Sequence, residues 1–253
     1  MMNTKLALNR NQLKYLVIAA MLIDHIAWAF VPTDTVLGQV MHFIGRLTGP
    51  TMAYFIAEGY HYTRNFQKYA LRLGFFALLS WMPFVYLEFG TMPVYLSSHV
   101  NGQQLEFRFH FGVLYTLLLG LLAIRLWDSK LDTAYKILGI AALCILSLFG
   151  DWAIFDILWC LFFHIWRKDN TGKWTAYCCV AGSYIAFLVI GSGSWLSALW
   201  GFGVFLVPLL IHFCYSGQSG SKHPVHKWFF YIFYPAHLLV LGVLRWMLFP
   251  ACC

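Results

Sequence analysis

Charge is scarce in this sequence. Only 11% of its 253 residues are Asp, Glu, Lys or Arg, whereas soluble domains carry about 25%. Hydrophobic residues make up 60% and aromatics 19%, and the mean hydropathy is +0.67. Such a surface cannot be kept in water, which excludes a soluble globular domain and implies a polytopic membrane protein. Acidic residues number 10 against 17 Lys and Arg. That excess does not point to nucleic acid, because basic residues of membrane proteins collect in cytoplasmic loops. There are seven cysteines but no Cys-x-x-Cys. No Cys/His run has zinc-ligand spacing, so no metal site is expected. The terminal "ACC" (Cys252 and Cys253) resembles a lipidation site, but the topology derived below puts it outside. Internal repeats, low-complexity tracts and a convincing A-x-A cleavage site are also missing, so the first apolar run reads as a retained span.

What is present is a series of apolar stretches near the 20 residues that a membrane helix needs. Nine spans are predicted, at roughly 12–32, 37–60, 68–90, 109–127, 133–150, 151–167, 174–192, 194–215 and 227–249. The chain therefore reads as one all-α membrane domain over 1–253, a bundle of about nine transmembrane helices. Arg46, Gly49 and Pro50 interrupt the second span, which is expected to be broken or re-entrant. Five basic clusters fall on one side of this arrangement, beginning with Lys5, Arg10 and Lys14 and ending with Lys222 and Lys227. That places the N-terminus in the cytoplasm and the C-terminus outside. The longest outer loop, 90–112, is a candidate lid or docking surface.

Polar residues inside the spans carry the functional signal, because ionisable groups in a bilayer usually face the bundle interior and mark function. Asp24 and His25 lie about 18 Å along the first helix, past the midplane. Adjacent helical positions diverge by about 100°, so the two side chains serve different neighbours. Arg46, in "FIGRLTGP", stays charged and needs a carboxylate or an anion. Asp24 lies at similar depth in the hairpin and is the expected partner, leaving His25 free for chemistry. A buried polar pair that merely holds helices together is the bland alternative. In the last span Tyr234, His237, Leu241 and Arg245 form one face, and Pro235 frees a carbonyl near His237. Arg64, Lys68 and Arg72 recur at spacing four and are expected to share a cytoplasmic face. That face suits a phosphorylated cofactor, lipid headgroups or the ordinary positive-inside bias.

"MLIDHIAWAF", "FIGRLTGPTMAYFIAEGYHYTRN", "GVLYTLLLGLLAI" and "FYPAHLLVLGVLR" together resemble the TraX family, named for the conjugative-plasmid protein that acetylates the N-terminus of F-type pilin. The shared features fall on Asp24 and His25, on Gly45, Arg46 and Pro50, and on Tyr234 and His237. The "GRLTGP" stretch departs from relatives, which carry a bulky apolar residue just before the Pro. The resemblance implies a membrane acyltransferase of the bacterial cytoplasmic membrane. Its donor would be cytoplasmic acetyl-CoA. Its acceptor, at the outer side, would be a pilin-like N-terminus or a surface glycan or small molecule. His25 would be general base or acyl carrier, and Asp24 the residue that positions Arg46 or the surroundings of His25. Arg46 or the Tyr234–His237 face would support the oxyanion. Arg64, Lys68 and Arg72, with His61 and Arg245, would hold the donor. A proton-coupled transporter and a non-catalytic pilus or surface assembly factor are the rival readings.

Overall fold

The computed structural model describes residues 8–99 and 102–249. Lys5, Cys252 and Cys253 lie outside the described residues.

Helix α1 spans Arg10–Phe30. It starts in a reciprocal capping box, in which Asn9 accepts from the Gln12 amide and Gln12 accepts from the Asn9 amide. The second hydrophobic stretch is divided, as its interruption predicts. Helix α2 runs Val36–Gly45 and α3 runs Thr48–Tyr62. Pro50 falls in the first turn of α3, where its missing N–H costs no helical bond, so a helix start just before it is favoured. Helix α4, Phe66–Phe89, follows a cap at Asn65. An antiparallel hairpin then departs from the all-helical expectation. Strand β1, Val94–His99, pairs with β2, Gly102–Phe107, with Tyr95 opposite Glu106. The chain continues through α5 (Val113–Trp127), α6 (Thr133–Leu146), α7 (Ala153–Ile165) and α8 (Asn170–Ser192). Residues 199–214 are irregular: a 3-10 segment Leu199–Phe205, one α turn Leu206–Leu209 and a π turn Leu210–Cys214. The last helix, α9, is Pro224–Leu248.

Four of these helices, α1, α4, α8 and α9, are long and apolar enough to cross a membrane. Helices α5, α6 and α7 have 15, 14 and 13 residues, or about 20–22 Å at 1.5 Å per residue. That is shorter than a hydrocarbon core of about 30 Å. Large apolar side chains are exposed around the perimeter, including Leu71, Leu78, Ile137, Leu138, Ile190 and Met247. Few such residues need explaining singly, but a continuous apolar perimeter on so apolar a chain belongs to a helical membrane protein.

Two glycines let elements approach at the centre. A Cβ at Gly45 would collide with the Asp24 side chain, and one at Gly203 would strike the Phe43 carbonyl and Arg46 Cβ. The irregular segment thus lies directly on α2, and α2 lies on α1. Helix α4 packs along α9, α5 along α7, and α9 against α1. The core between them is aromatic, with Trp159 and Tyr177 fully buried.

Candidate functional site

Asp24, His25, Arg46, Tyr234 and His237 are all buried and meet in two adjoining clusters. In the first, Arg46 Nη2 donates to Asp24 Oδ2 at 2.6 Å, the pair expected from their depth in the hairpin. His42 Nδ1 donates to Asp24 Oδ1 at 2.8 Å. The guanidinium lies between two indoles, 4.8 Å from the Trp152 ring and 4.6 Å from the Trp200 ring. Its Nη1 donates to the Tyr184 hydroxyl at 3.2 Å. Each component offsets the desolvation of a buried cation. His42, Tyr184, Trp152 and Trp200 are partners that sequence reasoning did not single out. His42 alone had a local signal, because it lies four residues before Arg46 on the same helical face.

In the second cluster, His25 Nδ1 lies 2.7 Å from His237 Nε2, with the rings stacked at 4.9 Å. His237 Nδ1 lies 2.8 Å from the Phe233 carbonyl. A carbonyl only accepts, so Nδ1 of His237 carries a proton. In the neutral pair its Nε2 is then a lone pair, which accepts from His25 Nδ1–H. The network leaves Nε2 of His25 unprotonated, and that atom has no hydrogen bond among the described residues. Pro235 lies within α9 between Phe233 and His237, and the carbonyl left without its helical N–H partner is that of Tyr231, four residues earlier.

Tyr234 stands beside this pair, its ring 6.3 Å from that of His25. Its hydroxyl accepts from the Val113 amide at the start of α5, at 3.1 Å. The same turn is held by Thr116, whose hydroxyl lies 3.0 Å from the Val113 carbonyl and 2.8 Å from Asp156 Oδ2. With its oxygen fixed by Val113, Tyr234 keeps its own proton to donate.

Two cavities flank these groups. The larger, about 860 Å³, opens where α1, α4 and α9 begin and reaches inward to Val113 and Tyr234. Its cationic lining is Arg10, Lys14, Arg64, Arg72, Lys222 and Lys227. Arg10 is neutralised by Glu58 at 2.8 Å, and Tyr215 donates to the same carboxylate. The Lys14 ammonium forms no ion pair among the described residues and rests over the Phe55 and Phe230 rings. The smaller cavity, about 20 Å³, has the scale of one water molecule. It is lined by Asp24, His25, Trp28 and Arg46, and by Glu88 and Asp151 from the end of α4 and the start of the α7 region.

The structure divides the residues expected to hold a donor. Arg64 and Arg72 line the large cavity, whereas Lys68, His61 and Arg245 do not. Spacing four does not apply across Arg64, because α4 begins only at Phe66. His61 instead stacks on His164, which bonds Asp128 at 2.8 Å. Arg245 lies two turns beyond His237 and donates to the Leu87 carbonyl at 3.1 Å. Among the described residues no group of three or more His, Cys, Asp or Glu is placed to hold a metal. Outside the helices, His110 Nε2 lies 3.1 Å from Glu88 Oε2. The carboxylate raises the histidine's pKa against the opposing effect of burial.

A helical membrane protein with a buried His–His pair beside an Asp–Arg–His cluster is the class that this fold and site define. The chain belongs to the TraX family, whose sequence profile, described as TraX protein, matches residues 9–245. It is similar to the "Probable fimbrial assembly protein FimC, serogroup H1" of Dichelobacter nodosus, with 32% identity over 235 residues, 91% of this chain and 93% of that protein. No solved structure matches it.

Proposed function

We propose that this protein is a membrane-embedded acetyltransferase of a bacterial cytoplasmic membrane. It would cross the membrane nine times, with the N-terminus inside, and take acetyl-CoA from the cytoplasmic side. The observation that carries the reading is the position of His25 and Tyr234 between the two cavities. Tyr234 lines the large basic cavity, His25 lines the small acidic one, and their rings are 6.3 Å apart. The basic cavity has the size for the pantetheine arm of CoA and the charge for the CoA phosphates. Of the small cavity's carboxylates, Asp24 is held by Arg46 and His42 and Glu88 by His110, which leaves Asp151 to receive an amine arriving from the opposite end. A pilin-like N-terminus is the favoured acceptor, in keeping with the fimbrial name of the relative. The small cavity holds little more than a water, so acceptor entry requires a side chain such as Trp28 to swing aside.

In this mechanism His25 Nε2 takes the proton of the attacking amine as its nitrogen bonds to the thioester carbonyl carbon. Accepting from His25 Nδ1–H, His237 stabilises the imidazolium that forms. Tyr234 donates to the carbonyl oxygen as negative charge develops there. Collapse of the tetrahedral intermediate breaks the C–S bond, and His25 returns its proton to the leaving thiolate. Arg46, enclosed by Asp24, two indoles and Tyr184, serves as scaffold. The reading is tested by acetylation of surface products, measured by mass spectrometry in cells carrying wild-type protein or His25→Ala. Loss of the acetylated product with a normally inserted variant is expected. Undiminished acetylation overturns the assignment.

A further inference from the structure

We propose that the loop 215–223 is a diphosphate-binding cradle at the mouth of the large cavity. The sequence there is "YSGQSGSKH", and it runs straight into the N-terminus of the 25-residue helix α9. Gly217 and Gly220 have φ of 77° and 73°, the left-handed backbone that glycine adopts without strain. The N–H groups of Gly217, Ser219, Gly220, Ser221 and Lys222 make no hydrogen bond among the described residues. Gly217, Ser219, Gly220, Ser221 and Lys222 all line the cavity. A glycine-rich loop opening a helix presents free amides and the positive end of the helix dipole to an anion.

Two independent features make this more than a loop before a helix. Lys14 lines the same cavity and forms no ion pair among the described residues, the nearby Glu58 carboxylate being bonded to Arg10 and Tyr215. The loop is also fixed in place: Leu8 pairs with Cys214 and Ser216, Arg10 N–H donates to the Gln218 carbonyl, and Asn11 donates to the Ser221 carbonyl. The cradle is thus held before any ligand arrives, which lowers the ordering cost of binding. Lys222 supplies a mobile point charge at the rim, as a phosphate-binding lysine does. The cavity is the one assigned above to the donor, and the site rests on that reading only for what carries the diphosphate.

The test uses the full chain in detergent or nanodiscs. Binding of CoA, S-acetylpantetheine and inorganic pyrophosphate is measured for wild type, Lys222→Glu and Ser219→Asp. Both positions are exposed, and unchanged melting temperatures confirm folding. The expected result is CoA binding weakened about 10-fold or more in each variant, with S-acetylpantetheine unaffected and pyrophosphate competing with CoA. Equal CoA binding by wild type and variants overturns the cradle and leaves the donor reading standing. Loop-dependent binding of pyrophosphate without binding of CoA supports the cradle and overturns the donor reading. Wild type that binds neither CoA nor pyrophosphate overturns both.

Discussion

His25 and His237 lie 212 residues apart in sequence and 2.7 Å apart in space, with the Phe233 carbonyl fixing the proton on the far nitrogen of His237. If His25 is the base, His237 acts by setting its tautomer. His25→Ala is then expected to lower acetyl transfer by about 10²-fold or more. His237→Phe, which keeps the stacked ring but loses the acceptor, is expected to lower kcat and move the acidic limb of the pH profile, with KM for acetyl-CoA nearly unchanged. An unaltered pH profile in His237→Phe would assign that residue to packing alone.

The Asp24–Arg46 pair predicts an asymmetry in stability. Asp24→Ala leaves a buried guanidinium without its carboxylate, at a cost of about 3–5 kcal/mol. The double variant Asp24→Ala/Arg46→Leu removes both charges and is expected to melt above the single one. Thermal unfolding in detergent decides this, and a double variant less stable than Asp24→Ala contradicts it.

Gly203 touches the α2 backbone, so Gly203→Ala forces the irregular segment off Phe43 and is expected to cost about 1–3 kcal/mol. Gly182 in α8 has open space around it, and Gly182→Ala is expected to be neutral or stabilising by up to about 1 kcal/mol. Melting temperatures of the two variants should move in opposite senses or differ clearly.

His110, three residues beyond β2, ties the segment leading from the hairpin to α5 to Glu88 at the end of α4. Its pKa is higher in the folded protein than in the unfolded chain. The contact therefore contributes its full stability below the unfolded histidine pKa, and loses it as pH rises through the folded value. Hydrogen exchange in residues 105–112 is expected to quicken across that window relative to the intrinsic rate. His110→Gln should abolish the extra pH dependence, and an identical profile in the variant would refute the role of the pair.

The sequence made the helical class and most element limits legible, because apolar runs, caps and breakers are local. Pro50 announced the α2–α3 break, and equal depth in a hairpin announced Asp24–Arg46. The rest depends on distant contacts. Nothing near Arg46 identifies Trp152, Tyr184 or Trp200 as its cage, and nothing near His25 identifies His237 as its hydrogen-bond partner. The spacing of Arg64, Lys68 and Arg72 misled, because a helical face was extended across a residue that precedes the helix. The hairpin 94–107 was hidden in a polar loop without a strong alternating pattern, and the cradle in a glycine–serine stretch read only as a connection.

The division between local and distant partners has a consequence for biosynthesis. Asp24, His42 and Arg46 all emerge within the first fifth of the chain, so the costly charges are neutralised early in translation. His237, Tyr234 and the loop at 215–223 come from the last forty residues. The His25–His237 contact therefore closes only when the final helix docks against the first, so the proposed chemistry has no complete site until insertion is finished.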